Sequence, residues 1–419
     1  MNDRATTAAL RRTRRLAASA LAVLAALAGP ARADAEADAA AASAFFPATA
    51  EDVLVTIAAV GDVLLHDRVQ RQGNGDPDGY RSLWAPMEPW IGAADVAFFN
   101  LEGTMAEGIA ANGVYVADAA FGPDQWVYGG YPLFNYPPIV GSALAAAGFD
   151  VAATANNHAM DRRTVGVQAT HALLSALGIQ PSGTRAQAGN PIDWVAFTDV
   201  RGVRIGWLAC AHHTNGLADP DSLVLLCDDP QTPQLIRILL AAGFADGVIV
   251  TPHWGEEFET APNWHQRQLA ARFAEAGAMA VIGTHPHVLQ RWERIDNADG
   301  RTTFVAYSLG NFISNQQAYP RAYTIMLFLG LGRGADGRLA VNAVRYLPAY
   351  VDASRIDGRD RVVRPALPDG DWASKAAFCL AVRLFGPTWL HPPVEAIVLT
   401  DSNAPTQAAA AAAPADACR

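Results

Sequence analysis

The sequence contains very little lysine. Lys375 is the only lysine among 419 residues, and arginine supplies every other basic side chain. A P-loop needs a lysine that reaches the nucleotide phosphates, and Lys375 does not lie in such a motif. The Gly-x-Ser-x-Gly turn that carries the nucleophile of α/β-hydrolases is also absent from the sequence. These absences disfavour mechanisms built on lysine, and they disfavour a serine nucleophile although Ser308 lies close to Asn311.

Cysteine is also scarce, with four residues in the chain. This usage fits an oxidising compartment, where cysteines form structural disulfides. Cys210 and Cys227 are close enough in sequence to close a modest loop, and we predict a disulfide between them. Cys379 and Cys418 remain, and the sequence leaves open whether they form a second disulfide. No cysteine has a histidine at a spacing that indicates a catalytic thiol.

Charge is sparse and mostly negative. Charged residues make up 17% of the chain, and the formal net charge is −10. Residues 1–33 hold six of the 31 basic residues but one of the 41 acidic residues, so the remainder is more acidic than the whole. An acidic body disfavours nucleic acid, or an anionic membrane, as the main partner.

The N-terminal segment is typical of a secretion signal. Four arginines within residues 11–15 precede an apolar run at 16–27 that is too short to span a membrane comfortably. Ala31-Arg32-Ala33 then forms a small-x-small cleavage site. We expect residues 1–33 to be a signal peptide and the protein to be secreted or periplasmic, peripheral to the membrane at most. An uncleaved membrane anchor is the alternative.

The rest of the chain alternates between strand-like and helix-like patterns. We predict an α/β domain at 53–350, with some antiparallel strands, and a C-terminal extension at 351–400. The Ala- and Asp-rich residues 34–52 are expected to form a flexible leader, and the Ala-rich residues 401–419 a disordered tail.

Some elements have clear sequence signals. The residues from Trp194 to Ala209 predict a β-hairpin. Asn263 is expected to cap a helix that Gly277 ends. Residues 105–137 are rich in Gly, Tyr, Trp and Phe and are too long for an ordinary connection. They form either a packed surface insertion or a lid or wall that grips a polymer.

Polar side chains follow consecutive strand-like runs. The carboxyl ends of parallel strands meet at one edge of a sheet, so these side chains should converge. In an extended segment, His285 and His287 would point to the same side. The predicted metal ligands are Asp62, Glu102, Asn157, His253, His285 and His287. Carboxylate, amide and imidazole together suit Zn²⁺, Mn²⁺ or Fe. Taken singly, each residue also has a structural interpretation, such as turn chemistry for asparagine or a satisfied core histidine.

In this order, the clusters resemble the capsule-biosynthesis CapA family of the calcineurin-like metallophosphatase superfamily. The resemblance extends from Val53 to Ile313 and implies a four-layer α/β/β/α sandwich. The matching stretches are Ala59-Val-Gly-Asp62, Asn100-Leu-Glu102, Ala155-Asn-Asn-His-Ala159 with Asp161, Pro252-His-Trp-Gly-Glu256, Gly283-Thr-His-Pro-His-Val288 and Tyr307-Ser-Leu-Gly-Asn-Phe312.

The resemblance implies the same six ligands, with Glu102 at the place of a metal-bridging aspartate. It also implies that His158 faces the leaving group. The sequence departs from the superfamily at its first motif, where Val63 and Leu64 follow Asp62 in place of an x-His pair. His66 is the candidate to replace the missing histidine, although its spacing differs. We therefore expect one or two divalent ions.

Two functions are consistent with these residues. The first is a metal-dependent hydrolase of a phosphoester, or of an amide in a γ-glutamyl-type envelope polymer. His158 would protonate the leaving group, and Asp161 or Glu256 would orient a histidine. Asn100, Asn156 and Asn311 are the predicted substrate-binding residues. The second is a secreted, non-catalytic protein that binds or exports an anionic capsule polymer in the same cleft.

Overall fold

The computed structural model describes residues 53–117, 119–120, 123–124, 126–334, 336–354, 359–386, 390 and 418. The predicted signal peptide and leader lie outside these residues, as does the predicted tail apart from residue 418. Within the described ranges, no helix is long and apolar enough to cross a membrane.

Thirteen strands form two mixed sheets in the described part of the chain. They are β1 (Val55–Val63), β2 (Val96–Leu101), β3 (Val151–Ala153), β4 (Gln180–Ser182), β5 (Ala196–Val200), β6 (Val203–Ala211), β7 (Gly247–His253), β8 (Ala280–Ile282), β9 (Leu289–Asp296), β10 (Thr302–Leu309), β11 (Tyr323–Arg333), β12 (Leu339–Asp352) and β13 (Val362–Pro365).

The α-helices connect these strands. They are α1 (Asp67–Gly75), α2 (Glu88–Ile91), α3 (Ile139–Ala147), α4 (Arg163–Ala176), α5 (Gln231–Ala241), α6 (Trp264–Ala276) and α7 (Trp372–Phe385). Short 3₁₀ turns occupy Gly79–Leu83, Ala85–Met87 and Pro191–Trp194.

The first sheet has the order β13-β12-β11-β1-β2-β3-β4, and the second has the order β5-β6-β7-β8-β10-β9. Strands β1 to β4 run parallel to one another, as do β6, β7, β8 and β10. Antiparallel pairs flank these groups: β11 with β1, β5 with β6, and β9 with β10. Each sheet therefore contains a parallel block whose carboxyl ends can carry functional loops.

The two sheets pack face to face and helices cover their outer faces. Phe98 of β2 points inward and stacks on Trp207 of β6, with ring centroids 5.5 Å apart. Its neighbour Phe99 points to the other face, where it packs with Leu144 of α3 and Leu174 of α4. On the second sheet, residues of α5 and α6 cover the outer face in the same way. The structure confirms the predicted α/β class and the four-layer sandwich.

Two local predictions are confirmed. Strands β5 and β6 form an antiparallel hairpin. Helix α6 begins at the Asn263 cap, where the Asn263 side chain accepts from Gln266 N and the Gln266 side chain accepts from Asn263 N. Gly277 ends the helix with φ 117°, a left-handed conformation that favours glycine.

The described residues between 351 and 386 pack on the sandwich, although the domain division at 350 itself stays a prediction. Strand β13 pairs with β12 at the edge of the first sheet. The α7 ring of Phe385 lies between the two sheets, 4.6 Å from Trp292 of β9 and 5.4 Å from Tyr346 of β12. Cys379 of α7 forms a disulfide with Cys418, so the far end of the chain is tied to this helix.

The packing of α7 gives a stability prediction. Phe385→Ala should lower the free energy of unfolding by about 3–5 kcal/mol, because it leaves a cavity between the two sheets. Trp372→Ala on the same helix is the matched control. Trp372 is 77% exposed, so its loss should change stability by no more than about 0.5 kcal/mol. Urea unfolding of both variants measures the difference, and equal effects would show that α7 adds nothing to the inter-sheet core.

Candidate metal centre

The candidate centre lies at the carboxyl ends of the parallel strands. A β-bulge at the end of β1 sets the position of Asp62, because the register shifts from Ala59 opposite Phe98 to Asp62 opposite Asn100. Gly61 makes the bulge possible. A Cβ atom at Gly61 would lie 1.8 Å from the carbonyl oxygen of Gly310.

The bulge places Asp62 against Asn100 in the protein interior. The Asn100 Nδ2 group donates to Asp62 Oδ1 at 2.7 Å and lies 3.2 Å from His253 Nδ1. Thr284 Oγ1 lies 3.0 Å from the same His253 nitrogen. If Thr284 accepts the Nδ1 proton, His253 Nε2 is left free as a metal ligand, which is the arrangement that metal-binding histidines need.

His253 Nε2 faces the middle of the cluster. It lies 2.9 Å from Asn157 Oδ1, 3.0 Å from His285 Nδ1 and 3.5 Å from Glu102 Oε1. Four of the predicted ligands therefore converge on one point. All of them are buried.

His285 and His287 are not in an extended segment, so the predicted backbone geometry is wrong. Their φ angles are 97° and 57°, and the residues from His285 to Val288 form a bend. Both imidazoles nevertheless reach the centre. A non-glycine residue held at positive φ costs about 1–3 kcal/mol, and such strain is concentrated at functional sites.

His287 joins the two carboxylates of the centre. Its Nδ1 lies 3.2 Å from Asp62 Oδ2 and 3.0 Å from Asn311 Oδ1, and its Nε2 lies 3.7 Å from Glu102 Oε1. Burial alone would lower the pKa of His287, but the charge of Glu102 and the bond to Asp62 raise it to about 9. Burial and the neighbouring histidines His253 and His287 hold the pKa of His285 well below its usual range.

Glu102 is the residue that fits a metal ion best. Its side chain is fully buried, and neither carboxylate oxygen has a hydrogen-bond partner among the described residues. Burial would raise its pKa, but His287 and His253 lower it below the usual range, so the buried carboxylate stays ionised. Two sets of ligand atoms within 4.8 Å contain Glu102, one with Asp62 and His253, the other with His285 and His287. A cation would satisfy both oxygens.

His158 lies beside this centre and is oriented by Asp161. His158 Nδ1 donates to Asp161 Oδ2 at 2.7 Å, and the Phe134 N–H donates to the same oxygen at 2.6 Å. The ring of Phe134 packs edge-on against His158, with centroids 4.7 Å apart. Burial would lower the pKa of His158, but the bond to Asp161 raises it, while burial raises the pKa of Asp161.

The three asparagines predicted to bind substrate do not offer their amides to a cleft. Asn100 holds Asp62, and Asn156 donates to Leu101 O while accepting from the His158 N–H. Asn311 contacts His287 with its oxygen and donates to backbone and side-chain acceptors with its nitrogen. All three are completely buried. Buried polar backbone groups at strand ends need hydrogen-bond partners, and asparagine side chains can supply them.

Glu256 and His66 also differ from their expected roles. Glu256 is exposed and makes no hydrogen bond or ion pair with the centre's histidines in the described ranges, because Gly255, at φ 89°, turns the chain outward. Of the two residues expected to orient a histidine, Asp161 is therefore the one that contacts a histidine in the described ranges. His66, the possible substitute for the missing motif histidine, has its Nδ1 3.3 Å from both Leu64 O and Asn315 N. Burial lowers the pKa of His66 to about 4.

Some supporting residues have no recognisable sequence signal. Thr284 contacts His253, the Tyr136 hydroxyl donates to the backbone oxygen of Glu102, and Phe134 holds Asp161. Phe134 and Tyr136 belong to the aromatic stretch at 105–137, and both are buried. Their aromatic character was visible in the sequence, but their contacts come from residues far apart in the chain.

Comparison with known proteins identifies relatives. Residues 56–316 match the family described as bacterial capsule synthesis protein PGA_cap. The chain is 29% identical over 242 residues to the PGA biosynthesis protein CapA of Bacillus subtilis, covering 54% of this chain and 59% of that protein. It is 30% identical over 186 residues to the capsule biosynthesis protein CapA of Bacillus anthracis, covering 42% of each. The chain thus spans less than two thirds of either relative.

Among solved structures, the chain is similar to the calcineurin-like phosphoesterase YfkN from Bacillus subtilis. The sequence identity is 15% and the TM-score is 0.41. The match covers 71% of this chain and 90% of that structure.

The contacts of Asn156 predict a structural role. Asn156→Ala should lower the free energy of unfolding by about 1–3 kcal/mol for each buried backbone group left without a partner. The exposed Asn112, which accepts one bond from Val114 N, provides the matched control. Asn112→Ala should change stability by about 0.5 kcal/mol or less. Urea unfolding compares the two, and an Asn156→Ala variant as stable as its control would leave substrate binding as the better interpretation.

Proposed function

This chain belongs to the bacterial capsule synthesis protein family PGA_cap, and we propose that it is a divalent-metal-dependent hydrolase acting in the synthesis of an envelope polymer. The match confirms the family resemblance inferred from the six motifs. The substrate we propose is a phosphoester or a γ-glutamyl-type amide of an anionic capsule polymer.

The observation that carries this proposal is the ionised, buried carboxylate of Glu102, whose two oxygens have no hydrogen-bond partner within the described ranges. Such a group is costly unless a cation lies against it. The histidines around it compensate only in part: His287, whose pKa is raised to about 9, lies 3.7 Å from Glu102 Oε1 but is shared with Asp62, and burial together with the neighbouring histidines holds His285 neutral. The residues that would hold Mn²⁺, Zn²⁺ or Fe, as one or two ions, are Asp62, Glu102, Asn157, His253, His285 and His287. A bound ion of this kind lowers the pKa of water and polarises a phosphoryl or carbonyl oxygen.

His158 is the proposed general acid. Because Asp161 accepts the Nδ1 proton, the His158 ring is fixed, and Nε2 is the nitrogen that can deliver a proton to the leaving group. Asp161 is itself held by the Phe134 N–H, so the pair is positioned before substrate arrives. Phe134 also packs against the ring and keeps water from that side.

An anionic substrate is supported by Arg321. Its guanidinium lies 3.4 Å above the ring centre of Phe258, and that ring lies 6.0 Å from His287. The cation–π contact holds a positive charge beside the centre, and no carboxylate of the described residues forms an ion pair with it. The acidic net charge of the whole chain therefore does not prevent a negatively charged group from binding here.

We also propose that the protein is exported. The disulfides Cys210–Cys227 and Cys379–Cys418 support an oxidising compartment. The signal-like residues 1–33 support the same conclusion, although they lie outside the described residues.

A second function, binding an anionic polymer without cleaving it, is favoured by one observation. Tyr115, Trp126 and Tyr131 of the aromatic stretch are 66%, 53% and 74% exposed. Exposed aromatic rings of this kind suit a surface that grips a polymer. Under this alternative the purified chain binds poly-γ-glutamate but shows no turnover with any added metal.

The proposed role of Glu102 gives a prediction about metal retention. Glu102→Gln keeps the shape of the side chain but removes its charge, so the affinity for Mn²⁺ or Zn²⁺ should fall by more than the roughly 10–100-fold seen when an outer-shell partner is lost. Glu256→Gln is the control, since it makes the same chemical change at an exposed position. Elemental analysis after dialysis measures both, and equal metal content in the two variants would contradict the proposal.

The proposed role of His158 gives a prediction that separates catalysis from metal binding. His158→Ala should retain its metal but lose about 10²–10⁴-fold in turnover, because the general acid is missing. His171→Ala is the control. His171 is a half-buried histidine of α4 with no hydrogen bond to the centre in the part of the chain that the structure describes.

The assay uses chromogenic phosphoesters and poly-γ-glutamate with Mn²⁺ or Zn²⁺. If neither the unaltered chain nor any variant turns over these substrates, yet poly-γ-glutamate binds, the non-catalytic alternative replaces hydrolysis. If His158→Ala is as active as His171→Ala, His158 is not the acid.

A further inference from the structure

A second group of metal-binding side chains lies outside the candidate centre. We propose that His212, Asp228 and His265 form a separate site for a transition-metal cation of the Zn²⁺ type. None of these residues belongs to the set that surrounds Glu102. Two imidazoles and one carboxylate are a ligand set typical of Zn²⁺ sites that keep one position open.

The three side chains are already close to the geometry that a metal needs. One ligand atom from each lies within 4.8 Å of the other two. His265 Nε2 is 3.0 Å from Asp228 Oδ1, and the rings of His212 and His265 are 4.9 Å apart. Around a tetrahedral Zn²⁺ with bonds of about 2.0–2.2 Å, ligand atoms lie about 3.3–3.5 Å from one another.

His212 supplies an independent indication of a ligand. Its Nδ1 atom is buried, and it has no hydrogen-bond partner among the residues described. Leaving a buried polar atom without a partner costs about 1–3 kcal/mol. Coordination through Nδ1 of a cation held with Asp228 and His265 would satisfy this nitrogen.

The backbone holds all three residues in place. His212 directly follows β6, and its N–H donates to His253 O at 2.9 Å. Asp228 directly follows Cys227. The Cys227–Cys210 disulfide ties this segment to β6, and Cys227 N donates to Ala211 O of the same strand at 2.8 Å.

His265 is the second residue of α6, whose first turn is fixed by the Asn263 and Gln266 capping box. Ligands on such rigid elements lose little entropy when a metal binds.

In the part of the chain that the structure describes, Arg272 is the arginine that competes for Asp228. Its Nη1 lies 3.8 Å from Asp228 Oδ1, which is longer than a hydrogen bond, and its side chain is 37% exposed. An exposed ion pair of this kind contributes about 0–1 kcal/mol, so it does not prevent a metal from taking Asp228.

The site borders a cavity next to the segment that leads to the candidate centre. His212 lines a cavity of about 560 Å³ together with His213, Thr214 and Arg185. Its backbone is bonded to His253 of the candidate centre, as described above. A metal at His212 would stiffen this wall of the cavity, and its open coordination position could take water or an anionic group.

The test is Zn²⁺ stoichiometry of the full chain, measured by equilibrium dialysis and elemental analysis with Zn²⁺ alone. Asp228→Asn and His265→Ala should each bind one equivalent less than the unaltered chain. His171→Ala should match the unaltered chain. Asp228→Asn changes an exposed side chain conservatively, so it keeps the test valid even if His265→Ala disturbs α6.

Glu102→Gln distinguishes this site from the candidate centre. It should lose the metal of the centre but keep the equivalent that Asp228→Asn removes, and the double variant should lose both. Equal stoichiometry in Asp228→Asn and the unaltered chain would overturn the second site. That result would leave the proposed function untouched, since the Glu102 comparison is independent of Asp228.

Discussion

The structure depends on keeping one negative charge, that of Glu102, inside the protein. An ionised carboxylate removed from water is destabilising unless positive charge lies against it. The interaction is mutual here, because the histidines lower the pKa of Glu102 while Glu102 raises that of His287 to about 9. His285 and His287 also hold strained backbone conformations. A cation bound at this centre, as proposed, would balance the charge of Glu102 and would account for the strained backbone of the two histidines.

The fold brings these groups together through the ends of its parallel strands. Asp62 and Glu102 come from the first sheet, whereas His253 and the bend at His285 come from the second. The centre is therefore built across the two sheets, and their packing sets its geometry. The contact of Gly61 with Gly310 shows how closely backbone segments must approach at this edge.

The convergence of the six predicted ligands could be anticipated from the sequence, because strand-end positions follow from an alternating pattern. The roles of the individual side chains within the cluster could not be anticipated in this way. Asn156 and Asn311 are buried partners of backbone and histidine groups, and nothing in their sequence positions separates that role from substrate binding. The conformation of His285 and the packing of Phe385 depend on contacts between distant residues. The pairing Cys379–Cys418 likewise joins α7 to a residue 39 positions away.

The central claim is that a divalent cation binds against Glu102. Anomalous diffraction at the zinc edge, from crystals of the full chain soaked in Zn²⁺, tests it most directly. The account predicts a peak about 2.0–2.2 Å from a Glu102 oxygen and from His nitrogens of the centre. A peak confined to other parts of the molecule, with Glu102 still unpartnered at saturating Zn²⁺, would contradict it.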